Sequence, residues 1–293
     1  MREKFEYFLV VILIKLAKIL PTNFLYFFFD FLAKFAFFAL KSRAKIAIKN
    51  LSLAYPQKSA GEIKTLAREN FCSVAKTLTQ TLLFYHERLD FSALIANKDE
   101  ALEKVKALKG DSKNSILFFT AHFGNWEVLA HFYGANGFPV AVVGRRGNNE
   151  LIEDRLVTPF RKKYGNELIY KDDAMRGLVE RLRAGKNVGI LPDQKPGGKN
   201  SLKTTFFGRE CYTTKTIASL YLKFNPVLIP VFARRMSDGR YEIVIKDFTP
   251  PSENLEKSQA EQFITQQCND IFEEVVRSAP EQWFWMHNRW KVD

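Results

Sequence analysis

The chain has 293 residues, enough for one large α/β domain or two small ones and for a sizeable buried core. Lysine and arginine outnumber aspartate and glutamate by 44 to 32, a formal net charge of +12, which points to a polyanionic partner: nucleic acid, anionic lipid or a phosphorylated substrate. Its three cysteines, Cys72, Cys211 and Cys268, are odd in number, widely separated and without metal-ligand spacing, which fits a reducing compartment and structural roles.

Phe5 to Leu20 is apolar except for Glu6, Lys15 and Lys18. Pro21 breaks the run, and Phe24 to Leu40 follows, apolar except for Asp30 and Lys34 and containing eight of the 27 phenylalanines. A clean membrane span needs about 20 apolar residues. Both runs are short of that, and their charges fall inside them, where a span tolerates them poorly. No small-residue cleavage site follows the first run, so it does not read as a removed signal peptide. Three readings stand: a helical hairpin in the membrane interface with snorkelling lysines, one uncleaved span, or two core helices of a soluble domain. Lys41, Arg43, Lys45 and Lys49 come next, a basic cluster that favours anionic headgroups and a cytoplasmic position. Residues 1–50 are therefore expected to form a membrane-associated helical anchor, and residues 51–293 an α/β domain. Leu51–Pro56 reads as a connector, and Lys58–Tyr85 as an amphipathic helix burying Ile63, Leu66, Phe71, Val74 and Leu78.

From about Asn114 strands and helices alternate. Strands are predicted at Ile116–Phe119, Val140–Val143, Leu168–Tyr170, Val188–Leu191, Val227–Phe232 and Tyr241–Ile245. Helices are predicted at Trp126–Tyr133, Leu151–Tyr164, Ala174–Ala184, Thr213–Phe224 and Phe263–Arg277. Lys195–Lys203 reads as a Lys/Gly-rich loop. The alternation implies a mixed, largely parallel central sheet flanked by helices, behind an N-terminal hydrophobic helical membrane anchor. His122, Arg145, Asp193 and Arg234 each follow a strand directly, so parallel strands would bring all four to one sheet edge, where such folds bind ligands.

The richest stretch is Asn114–Glu127, N-S-I-L-F-F-T-A-H-F-G-N-W-E. A buried strand ends before His122, Gly124 permits a tight turn, and Asn125 is a good N-cap for the helix that carries Glu127 in its first turn. A folded-back loop would bring the carboxylate to the imidazole, the arrangement of a general base and its orienting group. The plain alternative is a satisfied strand-end histidine and an acidic residue favoured by the helix dipole. Asp193 either pairs with Arg145, positions an acceptor or merely forms a turn. Lys195, Lys199 and Lys203 either meet phosphates or form a solvated loop. Trp126 reads as a packing residue and not a chemical participant. Trp283, Trp285 and Trp290 with His287, Arg289 and Lys291 read either as a membrane-interface element or as a segment docked to close the core. No metal site and no nucleotide-binding glycine loop is suggested.

Five blocks in order carry a family resemblance: Ala-His-Phe-Gly-Asn-Trp-Glu (121–127), Val143-Gly-Arg145 with Asn148-Asn149, Leu191-Pro-Asp193-Gln194, Phe206-Phe207-Gly208, and Pro280 to Lys291 around Trp-Met-His287-Asn-Arg289-Trp. Together they resemble the late acyltransferases of lipid A biosynthesis, the lauroyl/myristoyl transferase family within the lysophospholipid acyltransferase-like group. The likeness covers roughly residues 5–293. Asn288 stands where a basic residue is expected, and Glu127 where the wider glycerolipid acyltransferases carry Asp. The resemblance implies acyl transfer from an acyl carrier protein thioester, with acyl-CoA the lesser donor, to a hydroxyl of a lipid A precursor. It implies the cytoplasmic face of the inner membrane and an anionic membrane as partner. His122 would act as general base oriented by Glu127. Arg145, Asp193, Gly124 and Asn125 would support substrate or oxyanion, and Lys195, Arg234, His287 and Arg289 would contact phosphate or headgroup. No serine or cysteine occupies a nucleophile elbow, so direct transfer without an acyl-enzyme is expected, with no cofactor. An acyl thioesterase and a non-catalytic membrane lipid-binding protein remain alternatives. Nucleic-acid binding is disfavoured because the basic residues are dispersed.

Overall fold

Pro21, which cannot donate a backbone hydrogen bond, separates two helices of equal length, α1 (Arg2–Ile19) and α2 (Thr22–Ala39), in the computed structural model, which describes residues 1–196 and 200–290. α3 (Lys41–Ala54) takes up the basic cluster and runs through Leu51–Ala54, most of the segment read as a connector. α4 (Ala60–Tyr85) begins at a capping box in which the Ser59 side chain and the Glu62 backbone, and Glu62 and the Ser59 backbone, satisfy each other. Of its expected stripe, Ile63, Leu66 and Phe71 are buried, Val74 is half-buried and Leu78 is exposed. The inner face passes instead through Thr77 and Gln80, which donate to the carbonyls of Gly124 and Gly239. Hydropathy cannot see that exchange of apolar for hydrogen-bonded polar groups.

Two short helices, α5 (Phe91–Leu94) and α6 (Lys98–Lys109), lead to the sheet. The body then runs β1 (Ile116–Phe119), α7 (Trp126–Ala135), β2 (Val140–Gly144), α8 (Glu150–Ile152), α9 (Thr158–Arg161), β3 (Glu167–Tyr170), α10 (Ala174–Arg183) and β4 (Asn187–Ile190). After these come β5 (Ser201–Phe206), β6 (Arg209–Thr214), α11 (Thr216–Phe224), β7 (Val227–Arg235), β8 (Tyr241–Ile245) and α12 (Lys257–Ser278). The helix expected over Leu151–Tyr164 is divided: a wide π turn, Glu153–Val157, joins α8 to α9, and Tyr164 adopts a φ of 59°.

Six strands form one sheet in the order β3-β2-β4-β1-β7-β8. The first five are parallel and β8 is an antiparallel edge, so the expected mixed, largely parallel architecture is the one observed. β5 and β6 form a separate hairpin where a loop and a helix start were expected. Lys203 lies on its exposed face, ion-paired with Glu210 at 2.8 Å, while Thr204 and Phe206 alternate inward. Phe207 and Gly208, with φ of 53° and 68°, make the tight reversal, as a two-residue hairpin turn requires. The main core is continuous from Phe37, Ala47 and Leu51 through Leu117 and Phe119 to Trp283, Trp285 and Trp290. It does not break at residue 50.

Candidate active site

β4, β1 and β7 lie side by side and parallel, with Phe119 opposite both Ile190 and Pro230. The chain therefore leaves them at a common edge, and the residues just beyond β1 and β4 become neighbours. His122 follows β1 by three residues and Asp193 follows β4 by three. The imidazole Nδ1–H donates to Asp193 Oδ1 at 2.8 Å, and the His122 backbone N–H donates to Oδ2 at 3.0 Å. The indole N–H of Trp283 gives Oδ2 another hydrogen bond at 2.8 Å.

The Asp193 side chain is fully buried, while that of His122 is 26% exposed. Burial alone would raise the Asp193 carboxyl, but His122 and the convergent N–H donors outweigh it and hold the group at about 2. Burial pushes the His122 imidazole down; the adjacent Asp193 carboxylate more than offsets this, so its pKa stands above the ordinary 6.5. A carboxylate that accepts from Nδ1–H leaves the lone pair of the neutral ring on Nε2. Trp126 and Phe284 flank the ring at centroid distances of 5.2 and 6.4 Å.

The connection from β1 to α7 is clamped. Gly124 has a φ of +58°, and a Cβ there would stand 1.7 Å from the carbonyl oxygen of Ala233 on β7. Its N–H donates to Gln282 O at 3.0 Å, the Asn125 N–H to Ala233 O at 3.4 Å, and Thr77 Oγ1 to Gly124 O at 2.8 Å. Asn125 caps α7 as expected, accepting from the Val128 N–H at 3.3 Å. The two amides expected to serve an oxyanion are thus engaged within the protein, because they hold this loop against β7.

Glu127 lies in the first turn of α7, but its hydrogen bonds go to Arg161 on α9, whose Nε donates at 3.1 Å and whose Nη2 donates beside it. The carboxylate on His122 Nδ1 is Asp193, not Glu127 as the H-x4-E spacing suggested. α9 packs beside α7 and supplies a nearer cation, so Glu127 reaches the imidazole through charge alone, raising its pKa while Arg161 lowers it. Arg161 has no sequence signal that could have singled it out. Arg145 is exposed and donates to Asn148 Oδ1 at 3.1 Å; it does not pair with Asp193.

The remaining expected contacts are dispersed. Arg234 lies within β7, ion-paired to Glu242 on β8. Lys195 follows Asp193 by two residues; Lys199 and Lys291 fall outside the described residues. Arg289 is 1% exposed and donates to Tyr212 O, Thr213 Oγ1 and Asn269 Oδ1, so it staples β6 to α12 and does not face a headgroup. His287 donates from Nδ1 to Phe284 O at 3.0 Å and lies against Trp283, and burial pushes its pKa down to about 4, leaving no positive charge for a phosphate at neutral pH. Trp283, Trp285 and Trp290 are buried, which decides for a segment docked into the core. His131, held 4.4 Å from Phe160 and pushed down to about 4 by burial, is a core residue. Among the described residues no group of His, Cys, Asp and Glu side chains is arranged to hold a metal ion.

Residues 1–292 match the family model for bacterial lipid A biosynthesis acyltransferases. The chain is 29% identical over 269 residues to the lipid A biosynthesis lauroyltransferase of Escherichia coli (strain K12), covering 89% of this chain and 83% of that protein. It is 29% identical over 262 residues to the palmitoleoyltransferase of the same organism, covering 86% and 80%. The myristoyltransferase is 22% identical over 262 residues, covering 87% and 77%.

Proposed function

This chain belongs to the bacterial lipid A biosynthesis acyltransferase family and is an acyltransferase, and we propose that it moves a fatty acyl chain from an acyl carrier protein thioester to a hydroxyl of a lipid A precursor. The observation that carries the mechanism is the Nδ1–H bond of His122 to buried Asp193, which leaves Nε2 basic in a partly exposed ring. His122 Nε2 takes the proton of the acceptor hydroxyl as that oxygen attacks the thioester carbonyl. The C–O bond forms, the tetrahedral intermediate collapses, the C–S bond breaks, and the imidazolium returns its proton to the departing thiolate. Asp193 stabilises the imidazolium between these steps. A positioned base contributes roughly 10²–10⁴-fold. Cys211 and Cys268 are buried, and burial and Asp30 push the half-buried Cys72 thiol up to about 11, which supports direct transfer without a cysteine acyl-enzyme.

Trp126 and Phe284 form apolar walls for the acyl thioester beside the ring. The Glu127–Arg161 pair completes the site as paired charge next to the imidazole. Arg145 and Lys195, beyond β2 and β4 at the same sheet edge, meet phosphate of the acceptor. Exposed phenylalanines on α1 and α2 and exposed Lys41, Arg43, Lys45 and Lys49 support work at an anionic membrane, the cytoplasmic face of the inner membrane.

The test incubates membranes holding the protein, or its His122→Ala form, with labelled acyl carrier protein thioester and an under-acylated lipid A precursor. Labelled lipid from the unmodified protein, lost with the folded variant, is the expected result. Near-normal transfer by His122→Ala would sink the mechanism, and free fatty acid released at one rate with or without the lipid would make the protein a thioesterase.

A further inference from the structure

The outer surfaces of α1 and α2 repeat one pattern. Phe5, Phe8, Ile12, Leu16 and Ile19 are exposed on α1, and Phe24, Phe27, Phe31, Phe35 and Phe38 on α2, both in steps of three, four, four and three residues. At helical periodicity each set is one narrow stripe. The opposite stripe of α2, Leu25, Phe29, Ala33 and Phe37, is buried. Leu25 and Phe29 share a small core with Leu83 near the end of α4, and the Phe37 ring meets Phe71 earlier in α4 at 5.4 Å. α2 therefore lies antiparallel along α4.

α1 is fastened to the same body at both ends. Asn149, beyond β2, donates from Nδ2 to Glu3 O at 2.9 Å and to Glu6 Oε2 at 3.1 Å. Arg88, beyond α4, donates from Nη1 to Ala17 O and Leu20 O, both at 2.7 Å, and from Nη2 to Thr22 Oγ1 at 3.0 Å. His86 Nε2 lies 2.6 Å from Ile14 O, to which it donates. Glu3 and Ala17 are about 21 Å apart along a helix rising about 1.5 Å per residue, against a hydrocarbon core of about 30 Å. If α1 crossed that core, one of its two polar fasteners would be drawn into hydrocarbon or onto the far side. The Asp30–Lys34 ion pair, at 2.7 Å, sits near the middle of α2, where a spanning helix least tolerates charge.

We propose that α1 and α2 lie flat in one leaflet of an anionic bilayer and that neither crosses it. Their phenylalanine-rich stripes enter the acyl region. Exposed Lys4, Lys15 and Lys18 beside the stripe of α1, with the basic cluster of α3, take anionic headgroups. The proposal rests on the membrane-associated reading above and specifies its geometry.

The experiment uses the full-length protein in native membranes, with Arg2→Cys, Asn23→Cys and, on the exposed body, Glu253→Cys, each treated with an impermeant maleimide in right-side-out and inverted vesicles. Arg2→Cys and Asn23→Cys should react from the face that labels Glu253→Cys. Labelling of either Arg2→Cys or Asn23→Cys from the opposite face would overturn the proposal while leaving membrane association intact. In a second measurement, Phe27→Ser and Phe35→Ser should each weaken partition onto phosphatidylethanolamine–phosphatidylglycerol vesicles by about tenfold or more, with melting unchanged. Unaltered partition would overturn the flat geometry. Failure of the unmodified protein to bind those vesicles at all would instead remove the membrane-associated reading on which it rests.

Discussion

Two carboxylates act on the imidazole of His122 from regions of opposite character. Asp193, on the inner wall, is fully buried and receives its hydrogen bonds from His122 Nδ1, the His122 backbone and the Trp283 indole. Glu127, on the outer rim, is 22% exposed and answers to Arg161, itself 26% exposed. A charge held without water and matched by oriented donors fixes a tautomer and a direction; a charge paired with a partly exposed cation is partly screened and more adjustable. The inner wall should therefore control turnover, and the rim should control how substrates are held.

The largest effect is expected from Asp193→Asn, which keeps the volume and removes the charge. The tautomer with Nε2 as base loses its support, and kcat should fall by about 10²–10⁴-fold. The pH profile distinguishes this from simple damage. Asp193 lifts the pKa of His122 against burial, so removing its charge should move the acidic limb of kcat/KM to lower pH. Folding carries the converse signature. Asp193 is depressed to about 2 from an ordinary 3.8, so its stabilising contribution is present above the unfolded value and lost as pH falls toward 2. His122, raised, contributes below 6.5 and loses that contribution as pH rises through its folded value. In urea titrations taken across pH, the Asp193 dependence should be missing from the variant and that of His122 should reverse, since burial then lowers its pKa.

Gly124→Ala tests whether the wall depends on the clamp between the β1–α7 loop and β7. The new methyl group would meet Ala233 O at 1.7 Å from a backbone with positive φ. Backbone cannot yield as a flexible side chain can, so a loss of about 3 kcal/mol or more is expected. Calorimetry measures it, and an unchanged melting temperature would show that the loop relaxes freely.

The inner wall was only half legible in the sequence. Ile116–Phe119 was readable as a strand, Asn125 as a cap and Asp193 as a residue at the same sheet edge, because each depends on local periodicity or on strand ends. The pairing of His122 with Asp193 depends on β4 being the spatial neighbour of β1, although two strands separate them in the chain. H-x4-E spacing favoured Glu127 because sequence distance was the only distance available. Arg161 and Trp283 illustrate the same limit, since each acts through a partner far away in sequence. The β5–β6 hairpin is not legible because its first residues read as the end of the Lys195–Lys203 loop and its last, Thr213 and Thr214, as the start of a helix. The hairpin of α1 and α2 was legible as two apolar runs, but not which face of α2 turns outward, because Leu25, Phe29, Ala33 and Phe37 form a second apolar stripe at the same helical spacing.

Paired indoles sharpen the comparison at a smaller scale. Trp283 donates to Asp193, whereas neighbouring Trp285 donates to Pro280 O, and both are buried. Trp283→Phe and Trp285→Phe therefore forfeit similar packing, but only the first removes a hydrogen bond from a charged acceptor, an interaction worth about 1.5–3 kcal/mol. Turnover should fall about tenfold in Trp283→Phe alone. With one donor gone the Asp193 charge is less satisfied and binds the imidazolium proton more strongly, so the acidic limb should move to higher pH, opposite to Asp193→Asn. Equal profiles for the two tryptophan variants would reduce Trp283 to packing.

The rim should give the smallest effect. Arg145 is exposed, and its described hydrogen bond is to Asn148 in its own loop. Its replacement by alanine leaves the inner wall untouched and removes a charge-assisted contact available only when a phosphorylated acceptor is bound. Such a contact, partly solvated, is worth about 1 kcal/mol, so KM for the lipid acceptor should rise roughly fivefold with kcat unchanged. Measuring both constants at two salt concentrations makes the assignment specific, since a screened surface charge loses its effect as ionic strength rises. A fall in kcat at constant KM would move Arg145 from the rim to the reacting centre and erase the division between the two regions.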